Sequence, residues 1–396
     1  MNNLENVDDQ YIIFAPGHDT LDNRVNRTIS IMCGFSENVS VFYESGKILT
    51  GANDQTFFRK IELETMPRVS WRLIYFVARA VKRASGEKKT NNYYIHDSGF
   101  IGLILCALVS LFKRHSDKII FDYHDCLEWE LYHHSSKFIK SPFFRRIFVS
   151  FLRLFFATFL SRFVKINLLV GISDGQIRQL NEHFNITSER NLAIPNTRQR
   201  LDGEFRRRGD LAILWVGNVS MGRSFERAQS LQKAMSDTQT CKILLIGKYL
   251  NRTARTCLHN AQIVECGPFS SDLDIVNLTS TWRTVGVFFG WDDPELTNIN
   301  SISSVNKIYS YINTVTPFLM PVNQLNMIES LKIPQQFIFE NDDDLKMKLL
   351  WISQNYEIAQ NYVGEIKKIT IWENTVRRML KAELISVSEA KKLQVL

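Results

Sequence analysis

This sequence predicts an α/β chain of two doubly wound domains, each a mostly parallel sheet between layers of helices. Three observations predict it. Short β-branched runs alternate with longer helical stretches along the chain, an order that requires right-handed crossovers. Most of the runs are apolar almost continuously, as strands covered on both faces are. A charged stretch with little apolar periodicity, 196-NTRQRLDGEFRRRGD-210, divides them into two series. The expected domains are 1–200 and 201–370, followed by a helical segment, 371–396.

In chain order the first series of strands is 10-QYIIFAP-16, 39-VSVFYE-44, 92-NYYIHD-97, 118-KIIFDYHD-125 and 166-INLLVGIS-173. The second is 211-LAILWVG-217, 242-KILLIG-247, 262-QIVECG-267, 284-TVGVFFG-290, 317-PFLMP-321 and 336-QFIFE-340. Helical patterns lie between them and after the last, including 371-IWENTVRRML-380. No repeat or low-complexity tract interrupts the plan.

Composition narrows the class. The chain has 396 residues, 45% of them apolar, and few prolines, which describes a globular protein without extensive disorder. A formal net charge of +7 suits a phosphate-bearing partner: a nucleotide, a nucleic acid or an anionic membrane. The basic residues are not expected to be interleaved with exposed aromatics in the pattern of a single-strand platform, and no nucleic-acid module is recognisable, so no nucleic-acid partner is expected. Cys33, Cys106, Cys126, Cys241, Cys257 and Cys266 are scattered without a CxxC pair, which argues for reduced thiols and against a zinc cluster. The polar start MNNLENVDDQ carries no secretory signal, and the uncharged run 99-GFIGLILCALVSLF-112 is short for a bilayer span. The expected location is cytoplasmic, with a peripheral position at the inner membrane face left open.

In doubly wound sheets ligands bind beyond the carboxyl ends of strands. Gly17, His18, Asp97, His124 and Asp125 fall there in the first half, and Gly217, Asn218, Gly247 and Lys248 in the second. Two such rims would line an interdomain cleft. In 215-WVGNVSMGRSFE-226, glycines would let the backbone approach a ligand and Arg223 could clamp a phosphate; the plainer reading is an ordinary strand-to-helix turn. No GxGxxG or GxxxxGK[ST] pattern occurs, which disfavours a dinucleotide oxidoreductase or P-loop hydrolase. In 305-VNKIYSYI-312, Asn306 and Lys307 would open a helix, where a lysine opposes the dipole unless an anion docks against it. The alternative is a surface lysine tolerating a slightly poor position. Ile308, Tyr311 and Ile312 would share the apolar face.

Taken in order, these segments resemble retaining family-4 glycosyltransferases of the GT-B fold. The strand, Gly-loop and arginine of 215–223 are followed by 246-IGK-248, NKIYSYI and TPFLMP. In the first half, 17-GHDTLDNRVNRTISIMCGFSENVSVF-42, FDYHD, VGISDGQIRQL and AIPNT resemble the family's loop, strand and linker segments, and IWEN its last helix, which would return to the first domain. The resemblance implies a nucleotide-sugar donor held mainly by the second domain. Arg223 and Lys307 would hold its diphosphate, supported by Gly217, Asn218, Ser304, Asn306 and Tyr311, with Lys248 nearer the nucleotide and Gly17 approaching from the first domain. His18, Asp97 and Asp125 would lie on the acceptor side, with His124 as the preferred base.

One departure stands out. Family members often carry an acid three residues after the Asn-Lys lysine, and this chain has Ser310; Asp292, Asp293 or Glu295 could substitute for it. No metal or other cofactor is expected, because preorganised cations can stabilise a departing diphosphate. The triplets 272-DLD-274 and 342-DDD-344 read as turns or helix starts, and His133-His134 as loop or lid. His96, like His18, could orient a sugar hydroxyl or simply bond at a strand end.

The segment 137-KFIKSPFFRRIFVSFLRLFFATFLSRFVK-165 puts Arg146, Ser150, Arg153 and Ala157 on one helical stripe and Phe144, Phe148, Phe151, Phe155 and Phe159 on another face. It can be an interfacial membrane helix or a helix packed under the sheet. The expected activity is glycosyl transfer to a glycan or lipid-linked acceptor in surface polysaccharide biosynthesis. Alternatives are a sugar-nucleotide epimerase and a non-catalytic scaffold of the same fold.

Overall fold

The structure, a computed structural model, describes residues 10–16, 25, 28–29, 38–44, 62–66, 71–86, 90–97, 100–123, 139, 141–195, 201, 209–219, 225–236, 241–267, 269, 272–290, 305–369 and 378–379. It divides into two compact units, Met1–Pro195 with Val376–Leu396, and Asn196–Thr375.

The first unit contains strands β1 (Gln10–Ala15), β2 (Val39–Glu44), β3 (Glu62–Met66), β4 (Asn91–Asp97), β5 (Lys118–Tyr123), β6 (Ile166–Gly171) and β7 (Ser188–Ala193). They form one parallel sheet in the order β3-β2-β1-β4-β5-β6-β7. Helices α1 (Trp71–Ser85), α2 (Phe100–Phe112), α3 (Pro142–Thr158) and α4 (Asp174–Phe184) connect them. The central strands carry the apolar runs, and Ile12, Phe14, Tyr93, Ile95, Phe121 and Leu169 pack one face of the sheet against Val77, Cys106, Val109 and Leu180 of the helices. Helix α4 begins at a cap made from sequence: Ser173 Oγ accepts from Gln176 N at 3.1 Å, and Gln176 Oε1 accepts from Ile172 N at 3.0 Å. Near the other end of the chain, Arg378 Nη1 donates to Ala193 O at 3.1 Å, which ties the C-terminal segment to β7.

The turn between α2 and β5 is organised by Asp117, which is 1% exposed. Its carboxylate accepts from Asn91 N at 3.1 Å, Arg114 N at 3.1 Å and Arg114 Nη2 at 3.0 Å, so β4, β5 and the end of α2 share one anchor. Burial alone would raise its pKa, but the hydrogen bonds from Arg114 and Asn91 outweigh burial and hold it below the ordinary value of 3.8.

The second unit contains β8 (Leu211–Val216), β9 (Cys241–Ile246), β10 (Ile263–Glu265), β11 (Arg283–Val287), β12 (Phe318–Pro321) and β13 (Ile338–Phe339), again all parallel, in the order β10-β9-β8-β11-β12-β13. Its helices are α5 (Phe225–Ser236), α6 (Arg252–Leu258), α7 (Asp272–Thr279), α8 (Asn306–Asn313), α9 (Leu325–Leu331), α10 (Asp342–Gln354) and α11 (Tyr356–Ile369). Every residue of β8 is buried, as a central strand between helix layers must be. The triplet 342-DDD-344 forms the first turn of α10, capped by Asn341 Oδ1 accepting from Asp344 N at 2.9 Å. Asp272 opens α7 and is buried, its Oδ2 accepting from Asn313 Nδ2 at 2.8 Å. Both triplets are helix starts.

Helix α8 is held to the sheet by Tyr311. Its ring fills the space above Gly286 of β11, where a Cβ would stand 2.6 Å from ring carbons. Its hydroxyl donates to Leu214 O at 3.2 Å, and burial pushes the phenol's pKa up. This corrects the expectation that Tyr311 contacts a donor: its hydroxyl is spent inside the core.

Two outcomes follow from these contacts. In urea unfolding of the wild type between about pH 7 and pH 3, the Asp117 contribution is fully present above the ordinary aspartate range and lost as pH falls through its lowered pKa. Asp117→Asn removes that acid-dependent component, and parallel stability curves for the two proteins would refute it. Tyr311→Phe lowers stability by about 1 kcal/mol and leaves nucleotide-induced thermal shifts unchanged; a lost shift would restore Tyr311 to the site.

Candidate functional site

At the carboxyl end of β8 the backbone turns at Gly217, whose φ is +112°, and beside it β9 turns at Gly247, whose φ is +158°. Gly217 N donates to Ile246 O at 2.8 Å, and Gly247 N to Gly267 O at 2.7 Å. A Cβ on Gly247 would collide with the Gly217 carbonyl oxygen. The two turns then continue side by side, with Val219 N donating to Lys248 O and Leu250 N to Val219 O, both at 2.9 Å. Glycine is required at both positions by conformation, and at Gly247 by space as well.

Helix α8 points its first turn at the same place. Its N-cap is Val305, which offers no side-chain acceptor, and its first residues are exposed Asn306 and half-buried Lys307. Lys307 Cε and Nζ lie 3.2 and 3.5 Å from where a Gly217 Cβ would be. The ammonium also sits 4.7 Å from the centre of the Trp215 ring and 5.9 Å from that of Phe288. A cation over a largely desolvated indole gains about 0.5–2 kcal/mol, while a lysine in the first helical turn costs about 0.3–1 kcal/mol. The indole therefore offsets the dipole penalty, and no anion is needed to account for the lysine's position. What the indole adds is placement: it fixes a positive charge beside Gly217 and the first turn of α8.

Trp215 belongs to an aromatic floor. Its ring meets Phe225 edge-on at 5.0 Å and stacks with Phe289 at 6.3 Å. Arg227, in the first turn of α5, lies 4.7 Å over Phe289 and donates from Nε to Asp342 Oδ1 at 3.1 Å. Arg227 was not among the expected residues; its position just after the Gly-containing loop of 217–224 was the available signal. Trp215 Nε1 is buried with no hydrogen-bond partner among the described residues, so an indole donor also belongs to this floor.

The structure thus gathers Gly217, Asn218, Lys248, Asn306 and Lys307 around the ends of β8 and β9 and the start of α8. Asn218 and Lys248 are exposed. Ser310 is fully buried, its Oγ donating to Asn306 O at 3.4 Å, so the position expected to carry an acid faces the helix interior. Arg223, Ser304, Gly17, His18, His124 and Asp125 lie outside the described residues, as do Asp292, Asp293, Glu295 and His133-His134. Asp97 ends β4, with its side chain outside the description.

In the first unit His96, expected to orient a hydroxyl or to bond at a strand end, is buried in a polar cluster with Tyr94 and Asp122. Tyr94 Oη donates to Asp122 Oδ2 at 2.8 Å, and His96 Nδ1 lies 3.2 Å from the same oxygen. His96 and Asp122 are 0% exposed and Tyr94 is 2% exposed. The signal was the parity of β4 and β5: Tyr94 and His96 point to one face, and the register sets His96 opposite Asp122. The carboxylate holds two aromatic groups of β4 two residues before His124.

No protein-family model matches the sequence. A search of curated proteins finds no match. Solved structures do share the fold. The apo form of the lipopolysaccharide outer core galactosyltransferase WaaB is 10% identical with a TM-score of 0.60, over 95% of this chain and 99% of that one. WaaG, a glycosyltransferase involved in lipopolysaccharide biosynthesis, is 11% identical with a TM-score of 0.60, over 95% and 100%. A putative UDP-N-acetylglucosamine 2-epimerase from Listeria monocytogenes is 8% identical with a TM-score of 0.50, over 95% and 96%. The chain has the two-domain α/β fold of the GT-B glycosyltransferases.

Proposed function

We propose that this protein is a glycosyltransferase that takes a sugar from a nucleotide-sugar donor, held by the second unit, and passes it to a glycan or glycolipid acceptor in surface polysaccharide synthesis. The observation that carries the proposal is the ammonium of Lys307, held over Trp215 beside the Gly217 turn at the start of α8. A diphosphate there meets a cation, the positive end of the α8 dipole and a backbone without a Cβ in its way. Arg223, six residues after Gly217 in the sequence, supplies a second cation, and Asn218, Ser304 and Asn306 supply polar contacts.

In this reading the bond between the sugar's anomeric carbon and the diphosphate oxygen breaks, and negative charge grows on the departing oxygen. Lys307 and Arg223 interact with that charge more strongly in the transition state than in the bound donor, which is what accelerates the step. The acceptor hydroxyl bonds to the anomeric carbon and gives up its proton, with His124 as the receiving base. Gly17, His18, Asp97 and Asp125 serve the donor and acceptor from the first unit. Retention of configuration and independence of metal belong to the same proposal. An epimerase of the same fold, favoured by the weaker likeness to the Listeria protein, needs a sugar nucleotide but no acceptor.

A panel of nucleoside diphosphates and sugar nucleotides should raise the melting temperature of the wild type for one base, since a ligand bound only by the folded state stabilises it. With that donor, Lys307→Ala lowers turnover by about 100-fold or more while its circular dichroism stays that of the wild type. Gly217→Ala, strained by its φ and crowding Lys307, weakens the donor-induced shift. Undiminished turnover in Lys307→Ala would remove the proposal. A product epimerised without any acceptor would replace it with the second reading.

A further inference from the structure

Helix α3 divides its surface into three. One narrow stripe, Val149, Leu152 and Phe156, packs on the core of the first unit. A broad second face is apolar and exposed: Phe144, Phe151 and Leu154 are each more than 60% exposed, and Phe148, Phe155 and Phe159 at least 40%. Phe155, Phe159 and Phe163 extend this face as a ladder, with ring centres 5.4 Å apart at each step. Arg146 and Arg153 lie on the third stripe, on the opposite side of the core contact, and are exposed. Apolar surface of this extent is unusual on a soluble protein and marks an interaction site.

The sequence of the segment says what covers it. From 137 to 165 there is no Asp or Glu, and Lys137, Lys140, Arg145, Arg146, Arg153, Arg162 and Lys165 are all basic. No helix among the described residues is long and apolar enough to cross a membrane, so α3 cannot be a span. An apolar, phenylalanine-rich face flanked by arginines, on a helix fastened to its domain by a separate stripe, fits a helix lying in a bilayer interface with its cations at anionic headgroups. A second copy of the chain would bring the same positive charges together across the patch, which disfavours self-association.

We propose that α3 docks this protein on an anionic lipid bilayer, its exposed phenylalanines entering the headgroup and acyl boundary and its arginines meeting lipid phosphates. This surface lies on the first unit and does not depend on the transferase reading, though in that reading it would bring the enzyme to a lipid-linked acceptor.

Flotation of the full-length protein with vesicles tests the proposal without any donor. The wild type should float with vesicles containing about one-third phosphatidylglycerol, much less with pure phosphatidylcholine, and less as salt rises. Arg146→Glu with Arg153→Glu should weaken binding to the anionic vesicles by about tenfold or more. Phe144→Ser with Phe151→Ser should weaken it comparably, and both double variants should melt like the wild type. Absence of wild-type binding, equal binding to both vesicle types, or variants that bind as well as the wild type would each overturn the proposal. So would a wild-type dimer in light scattering that Phe144→Ser with Phe151→Ser converts to monomer while vesicle binding is missing.

Discussion

The second unit depends on one close approach, that of the Gly217 carbonyl to Gly247. Two neighbouring parallel strands end there in turns that leave no room for a Cβ on Gly247, and each turn is fixed by a hydrogen bond from its own amide. Because Gly217 also lacks a side chain, Lys307 can lie across it and rest on Trp215. The aromatic floor then decides where the charge goes. A flexible lysine at an exposed helix start would spread over many rotamers, whereas an indole beneath the ammonium selects a few of them. The charge is in place before any ligand arrives, which is the form of electrostatics most useful to a reaction that develops negative charge.

Polar groups in the two units are used in contrasting ways. In the first unit the buried carboxylates are satisfied internally: Asp117 by Arg114 and Asn91, Asp122 by Tyr94 and His96. Such groups fix backbone positions, since a buried charge left without partners would be strongly destabilising. In the second unit the cations Lys307 and Arg227 lie over aromatic rings at the edge of the core. The first arrangement gives rigidity to strand ends. The second places positive charge at the edge of the core, with Arg227 also paired to Asp342.

Much of the fold was legible because central parallel strands must be apolar on both faces. The runs 211-LAILWVG-217 and 118-KIIFDYHD-125 declare themselves for that reason. The strands β3 and β7 do not declare themselves in their sequences, ELETM and SERNLA, because edge strands need little apolar surface and no residue of β7 is fully buried. Lys307 was legible from helix electrostatics, but its contact with Trp215 was not, since nothing local links residues 92 positions apart. Tyr311 was misread for a related reason. Spacing placed it correctly on the buried face of α8, and only the packing above Gly286 shows that its hydroxyl ends on Leu214 O. The pairing of His96 with Asp122 required the register of β4 against β5, which no single strand reveals. Helix α3 is intermediate: periodicity gave its faces, and packing was needed to show which stripe meets the core.

The most direct test of the account is a crystal structure of the protein with a nucleoside diphosphate bound. Phosphate oxygens should lie within hydrogen-bonding distance of Lys307 Nζ and of the first backbone amides of α8, with the ammonium still over Trp215. A diphosphate bound away from the Gly217 turn, with Lys307 making no contact to it, would contradict it.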